Sequence, residues 1–230
     1  MFKTIVYHLI GIPDSYLNLQ QKRMFVSPER FTEHIIALLN GGYRFITLEE
    51  AEKQLTGESK SSDKDILITF DDGYINTLKT ALPILDRFSI CAAMSVCGSY
   101  LFPENRENIS MHADKNFADV DQVREWLNAG NSILAHTYSH YKLTHLSTEE
   151  CESEIERDYN ILRREFGSAP KGIAYPFGSI NDNVIAIVKQ FYQYGFATDM
   201  GMPASWDERY RIKRICAESN CSVEELFQLM

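Results

Sequence analysis

Short apolar runs that alternate with amphipathic helical patterns constrain this sequence more than any other feature. The runs predict eight strands, at Phe2–Tyr7, Tyr43–Ile46, Ile66–Phe70, Cys91–Val96, Ser132–Ala135, Gly172–Tyr175, Phe196–Thr198 and Arg211–Ile215. Because helical patterns fill the gaps between them, we expect parallel strands joined by crossover helices. This pattern leaves two architectures open, a barrel and a doubly wound open sheet.

Helix start signals mark several of the gaps. Ser27 followed by Pro28 predicts the N-terminus of a helix that ends before Gly41. Capping boxes predict three further helix starts, at Thr47-x-x-Glu50, Ser147-x-x-Glu150 and Ser222-x-x-Glu225. The predicted loops are Gly11–Arg23, Gly57–Lys64 and Gly98–Asp119. Because no repeat or low-complexity linker interrupts the chain, we expect one catalytic domain over residues 1–230.

Charge and apolar content exclude several classes of protein. The net charge is −9, and no basic stripe is present to bind a nucleic acid. No run approaches the roughly 20 apolar residues of a membrane span. The first ten residues include Lys3 and His8 and lack a small-residue cleavage site, so we expect a buried strand rather than a signal peptide, and a cytoplasmic protein. The five cysteines form no CxxC pair, which argues against a cysteine-based zinc site.

Two adjacent carboxylates follow the third predicted strand. The run Ile66–Phe70 leads directly into Asp71, Asp72 and Gly73. Because neighbouring carboxylates repel each other, one of them usually keeps a proton unless a cation neutralises the pair. A metal ion would bind one carboxylate and leave the other as a base. The same residues also fit a polar turn in which glycine supplies the unusual backbone angle.

A pair of histidines follows the strand Ser132–Ala135. His136 and His140 are four residues apart, the spacing at which two side chains share one face of a helical turn and chelate a metal ion. Alone, the pair fits surface or capping histidines equally well. Both motifs follow strands, however, and parallel-sheet enzymes build their sites at the carboxyl ends of strands. Two imidazoles and one carboxylate would form a facial metal triad, a donor set that non-haem iron oxygenases also use.

Two further elements border the same expected edge. The turn Tyr175-Pro176-Phe177-Gly178 closes the strand that begins at Gly172. Its rigid aromatic–proline pattern fits either hydrophobic packing or a backbone N–H that donates to an oxyanion. We take Tyr175, Pro176 and His8, which ends the first strand, as candidate substrate-binding residues, although His8 also fits a histidine satisfied within the fold.

Together these motifs resemble the NodB-like polysaccharide deacetylases. The resemblance rests on Thr69-Phe70-Asp71-Asp72-Gly73, His136-Thr137-Tyr138-Ser139-His140 and Tyr175-Pro176-Phe177-Gly178, which span most of the chain. Tyr7-His8 and Arg211–Ile215 look most like the branch that deacetylates poly-N-acetylglucosamine. The resemblance implies a distorted (β/α)₇ barrel, an α/β fold, with a divalent metal, usually zinc. It also implies Asp72, His136 and His140 as metal ligands, Asp71 as general base, and the backbone N–H of Phe177 as oxyanion donor.

The sequence departs from the family pattern at two points. The family often has an arginine two residues before the proline of its third motif, where this chain has Ala174. The late histidine that acts as general acid is also absent, because the six histidines are His8, His34, His112, His136, His140 and His145. Protonation of the leaving amine would then fall to His8, His112 or a carboxylate.

The hypothesis from the sequence is a metal-dependent deacetylase that hydrolyses the N-acetyl group of an N-acetylated sugar or polysaccharide. Its partner would be an N-acetylated glycan or a sugar precursor. Two alternatives remain open. One is a catalytically weakened carbohydrate-binding member of the fold, which the missing late histidine favours. The other is a hydrolase of a different amide C–N bond.

Overall fold

The computed structural model describes residues 2–106, 116–198 and 208–230. The strands are β1 (Lys3–Tyr7), β2 (Leu9–Ile10), β3 (Phe25–Val26), β4 (Arg44–Phe45), β5 (Asp65–Phe70), β6 (Ala93–Val96), β7 (Ser132–Ala135), β8 (Gly172–Ala174), β9 (Tyr194–Phe196) and β10 (Ile215–Cys216). The helices are α1 (Leu19–Arg23), α2 (Pro28–Asn40), α3 (Leu48–Leu55), α4 (Leu82–Arg87), α5 (Val120–Asn128), α6 (Thr148–Phe166), α7 (Asp182–Phe191) and α8 (Val223–Leu229).

Parallel strands form one curled sheet in the order β10-β1-β5-β6-β7-β8-β9, with β4 paired to β5 beside this path. The residues before β10 also reach the other end of the sheet, because Ile212 forms a parallel bridge to Phe196 of β9. The sheet therefore curls into the distorted barrel that the resemblance implied. From β5 to β9 the strands neighbour each other in chain order, as strands of a (β/α) barrel do.

Side chains of the strands alternate between two hydrophobic layers. On β5, Ile66, Ile68 and Phe70 belong to the layer between sheet and helices, whereas Leu67 belongs to the layer inside the barrel. On β7, Leu134 likewise belongs to the inner layer. Continued alternation directs Asp71 and His136, which follow β5 and β7, toward the barrel interior.

The helix start signals of the sequence are confirmed. The side chain of Ser27 accepts a hydrogen bond from the backbone N–H of Arg30 at the start of α2. All three predicted capping boxes are present, at the starts of α3, α6 and α8. No helix among the described residues combines the length and apolar character that a bilayer span requires.

Most of the predicted strands are present at their expected positions, but several differ in length or in their bounds. The predicted strand Tyr43–Ile46 shortens to β4, and Phe196–Thr198 moves back to β9. The predicted strand Arg211–Ile215 is wrong as a continuous element, because regular pairing with β1 begins only at Ile215. The residues before Ile215 turn instead toward β9. Arg214 is therefore not paired with β1, and its side chain donates to the carbonyl of Ala197.

The predicted loop Gly11–Arg23 contains a helix that the sequence reasoning missed. Asn18 and Gln21 form a capping box at the start of α1. None of the helical residues of α1 is buried, so no apolar periodicity marks it. The short parallel pair β2 and β3 flanks it.

Candidate active site

Several strands deliver polar side chains to one end of the barrel. His8 follows β1, Asp71 and Asp72 follow β5, His136 follows β7, and Phe177 lies in the turn after β8. All of them line one cleft of about 820 Å³. This placement at the carboxyl ends of parallel strands is the one that the sequence predicted.

The structure brings the three predicted metal ligands together. One carboxylate oxygen of Asp72, Oδ1, lies 3.2 Å from His136 Nε2 and 3.0 Å from His140 Nε2. All three side chains are buried, and their ligand atoms lie within 4.8 Å of one another. The residues thus converge on a single point.

This donor set fits a divalent cation. Nitrogen and oxygen atoms about 2.1 Å from a tetrahedral ion lie roughly 3.4 Å from one another. The two contacts of the Asp72 oxygen, at 3.0 and 3.2 Å, are close to that spacing. One carboxylate with two imidazoles also leaves coordination positions open for water and substrate.

His136 is oriented for ligation by its other ring nitrogen. Its Nδ1 donates a 2.7 Å hydrogen bond to the backbone carbonyl of Ala174, which leaves Nε2 facing Asp72. Burial acts to lower the pKa of His136, but the hydrogen bond that its Nε2 donates to Asp72 and the charges of Asp71 and Asp72 outweigh it and raise the pKa. An arriving cation therefore competes with a proton for Nε2 of His136.

The helical turn expected between His136 and His140 is wrong. The residues form a loop, in which Thr137 has a φ of 65° and His140 a φ of 60°. The hydroxyl of Thr137 accepts a hydrogen bond from the backbone N–H of His140 and stabilises this loop. The two imidazoles thus meet through a strained turn rather than through helical periodicity.

Backbone strain concentrates around the site. Four of the five non-glycine residues with positive φ in the described ranges are Asp72, Thr137, His140 and Phe177. Each such conformation costs about 1 to 2 kcal/mol for an L-residue. Strain of this kind persists where the surrounding contacts determine the conformation, and it is common at functional sites.

Asp71 is held by an arginine that the sequence reasoning did not assign. Nη1 and Nη2 of Arg214 donate to Oδ1 and Oδ2 of Asp71 at 2.8 and 2.7 Å. The Ser95 hydroxyl donates to Oδ1 at 2.8 Å. Arg214 is fully buried, and its Nε donates to the carbonyl of Ala197. A basic residue within the last apolar run was the available sequence signal, but it did not identify the partner.

The ion pair determines the protonation state of Asp71. Burial acts to raise the pKa of Asp71, but the charges of Arg214 and His136 and the hydrogen bonds from Arg214 outweigh it. They hold the pKa well below its usual range. Asp71 is therefore an anion at neutral pH, and Arg214 and Ser95 fix it beside the predicted metal ligands.

The third motif divides between the cleft and the core. Phe177 lines the cleft, with a ring centroid 4.8 Å from that of His140, and is 49% exposed. Tyr175 is fully buried, and its hydroxyl donates to the carbonyl of Tyr210. Pro176 is also buried. Neither of these two borders the cleft, so substrate contact by Tyr175 and Pro176 stays a prediction, whereas their packing role is observed.

Comparison with known proteins identifies the family of this chain. The family model for polysaccharide deacetylases matches residues 58–195. The chain belongs to the polysaccharide deacetylase family. It is accordingly a hydrolase that acts on carbon–nitrogen bonds.

Named members of this family are similar to this chain over most of its length. The chain is 28% identical over 212 residues to YxkH of Bacillus subtilis, and the match covers 92% of this chain and 69% of the relative. It is 26% identical over 203 residues to the poly-beta-1,6-N-acetyl-D-glucosamine N-deacetylase of Staphylococcus aureus, covering 84% and 68%. The structure of the Streptococcus pyogenes deacetylase PplD in complex with acetate is similar, with a TM-score of 0.83 at 25% identity, covering 100% and 97%.

The two departures of this deacetylase from the family pattern have different outcomes in the structure. Ala174 takes the position where an arginine was expected, and its carbonyl binds His136, while Arg214 reaches Asp71 from the far end of the chain. Of the proton donors considered from the sequence, His8 lines the cleft. His112 lies outside the described residues.

Proposed function

We propose that this chain is a metal-dependent N-deacetylase acting on an N-acetylated sugar or polysaccharide. The observation that carries the proposal is the convergence of His136 and His140 on one oxygen of Asp72, with Asp71 beside them. A facial triad next to a separate carboxylate supports hydrolysis, since a binding protein has no need of that second carboxylate.

Asp72, His136 and His140 would hold a divalent ion, and we propose zinc, which accepts nitrogen and oxygen donors of this kind. Such an ion, when bound, polarises an acyl carbonyl and acidifies a water molecule. Asp71 would accept the proton of the attacking water as the oxygen–carbon bond forms. Arg214 and Ser95 keep the Asp71 carboxylate in place while it does so.

Two further groups complete the proposed reaction. The backbone N–H of Phe177 would donate to the acyl oxygen as negative charge develops there. His8 would protonate the leaving nitrogen as the carbon–nitrogen bond breaks, giving acetate and a free amine. The location of His8 in the cleft supports this role, and so does the lack of any histidine after position 145.

The relatives and the cleft both support the proposed substrate class. The Staphylococcus aureus relative is named as a deacetylase of poly-beta-1,6-N-acetyl-D-glucosamine. The 820 Å³ cleft lies near the upper end of the range of about 300–1,000 Å³ for ligand pockets. Both support an N-acetylhexosamine glycan or precursor as the substrate.

Metal analysis combined with acetate release from a panel of N-acetylhexosamine mono- and oligosaccharides tests the proposal. We expect one divalent ion per chain and acetate release that a chelator abolishes and added metal restores. Small non-sugar amides in the same panel test the alternative that the protein hydrolyses a different amide C–N bond. Metal uptake and glycan binding without acetate from any substrate would favour a carbohydrate-binding protein instead.

Asp71→Asn separates the base from the ligands. We expect this variant to retain the metal and lose at least about 10²-fold in turnover, because the amide cannot accept the proton. Full activity of the variant would show that Asp71 is not the base. Loss of the metal would show that Asp71 belongs to the ligand set.

A further inference from the structure

The Tyr138–Ser139 peptide group is held from both sides. Its carbonyl oxygen accepts two hydrogen bonds from Ser99, one from the backbone N–H at 2.9 Å and one from the hydroxyl at 2.6 Å. Its N–H, which belongs to Ser139, donates to Oε2 of Glu154 at 2.8 Å. Opposite ends of one peptide plane are therefore bound by two different parts of the chain.

This peptide lies one residue before the predicted metal ligand His140, whose φ is 60°. Rotation of the Tyr138–Ser139 peptide about its flanking bonds would change the direction in which the chain enters His140. A residue with positive φ reverts to the ordinary region unless its neighbours hold it. The contacts of Ser99 and Glu154 contribute to that restraint, together with the hydrogen bond that the His140 N–H donates to the Thr137 hydroxyl.

Glu154 is placed for this role by helix α6. It is only 8% exposed, although glutamate is seldom buried without a partner. Its own backbone carbonyl accepts from the N–H of Tyr138 at 3.3 Å, so the residue contacts the loop twice. Burial raises the pKa of Glu154, and the hydrogen bonds from Ser139 act in the opposite direction.

We propose that Glu154 is a positioning residue of the active site, which fixes the strained loop that presents His140 to the metal. The inference rests on the proposed metal site. Glu154 itself acts through the Ser139 N–H and the peptide plane. Its removal should therefore weaken metal binding even though it is not a ligand, as loss of the groups that orient metal ligands commonly does.

The test measures metal affinity and ligand geometry. Zinc affinity is determined by competition with a chromogenic chelator, and the visible spectrum of the cobalt-substituted protein reports the coordination. Glu154→Ala removes the acceptor, and we expect at least about tenfold weaker zinc binding and an altered cobalt spectrum. Glu154→Gln keeps an oxygen that can accept from Ser139, and we expect affinity within about threefold of wild type.

Two controls separate positioning from stability. Leu162→Ala removes a fully buried side chain of α6 away from the loop, and should lower the melting temperature without changing zinc affinity. Ser99→Ala removes one of the two donors to the Tyr138 carbonyl, and should weaken zinc binding severalfold. The Ser99 variant carries the test if Glu154→Ala does not fold.

The outcomes distinguish this inference from the proposed function. A wild-type protein that binds no divalent ion would overturn both. A wild type that binds zinc, with Glu154→Ala and Ser99→Ala variants that bind it equally and show the same cobalt spectrum, would overturn only the role of Glu154. Weakened binding in Leu162→Ala to the same extent as in Glu154→Ala would reduce that role to general stability.

Discussion

Each of the two terminal nitrogens of Arg214 donates to a different carboxylate oxygen of Asp71, and the two residues are 143 positions apart in the chain. Each partner is almost completely removed from solvent. A buried ion pair of this geometry restrains the carboxylate in both position and rotation. Asp71 thus faces the predicted metal ligands as a rigid anion, although it directly follows β5, most of whose residues belong to the hydrophobic core.

Substitution of Arg214 should affect catalysis and stability together. Arg214→Ala leaves a buried carboxylate without its counter-ion, and we expect a loss of about 3–5 kcal/mol in the free energy of unfolding. Arg214→Lys keeps the charge but not the two-pronged geometry, so it should fold and lose about 10²-fold in turnover. Urea denaturation and acetate release measure the two effects. The matched control is Arg211→Lys, a change at an exposed arginine. Wild-type turnover in Arg214→Lys would contradict the proposal that the two hydrogen bonds of Arg214 position Asp71.

The proposed proton donation by His8 depends on the leaving group. His8→Ala should slow hydrolysis of the N-acetyl amide by about 10²- to 10⁴-fold, because an amine must be protonated to leave. Hydrolysis of 4-nitrophenyl acetate should change by less than about threefold, since 4-nitrophenolate leaves without a proton. Steady-state rates on both substrates, with His145→Gln as control, test this. Equal losses on amide and ester would assign His8 to another role.

Zinc affinity should depend on pH through His136. Its pKa in the metal-free protein is raised above the ordinary 6.5, and an ion must displace the proton from Nε2. Affinity should therefore rise with pH until His136 is neutral, and should fall on acidification starting above pH 6.5. Chelator competition between about pH 6 and pH 8 measures this dependence. His145→Gln should leave it unchanged, and a flat profile across the range would contradict the raised pKa.

Asp158 should make the metal-free protein less stable as pH rises. Burial raises the pKa of Asp158 to about 8, although its Oδ1 accepts from the Gly98 N–H at 2.8 Å. Between its ordinary value of 3.8 and about 8, the folded state keeps a proton that the unfolded state releases. Raising the pH through this window therefore favours unfolding.

Asp158→Asn removes this titration and keeps an oxygen for Gly98. We expect the variant to gain stability relative to wild type as pH rises from about 5 to 8. Urea unfolding of the chelator-treated proteins across this range measures the difference. Glu156→Gln, an exposed change on the same helix, is the control. Parallel pH profiles for wild type and Asp158→Asn would show that Asp158 is ionised in the folded protein.

Much of the fold could be predicted because local patterns encode it. The apolar runs of β1, β5 and β7 and the capping boxes of α3 and α6 are each contained in a few adjacent residues. The same holds for the placement of Asp72, His136 and His140, since a motif that follows a parallel strand must lie at the carboxyl edge of the sheet.

Apolar periodicity and residue spacing do not indicate other parts of the site. The helix α1 has no buried face, and the loop at His140 departs from helical geometry through positive φ angles that residue spacing does not indicate. The pairing of Arg214 with Asp71 depends on the residues before β10 turning toward β9.

Sequence alone thus determined which strands end in the candidate metal ligands, because strand formation and strand-end position follow from local hydrophobic periodicity. Tertiary structure alone decided that Arg214 fixes Asp71 and that Glu154 reaches the Ser139 N–H. Those contacts join segments far apart in the chain, and their free energy comes from burial and charge pairing that exist only after the barrel has assembled.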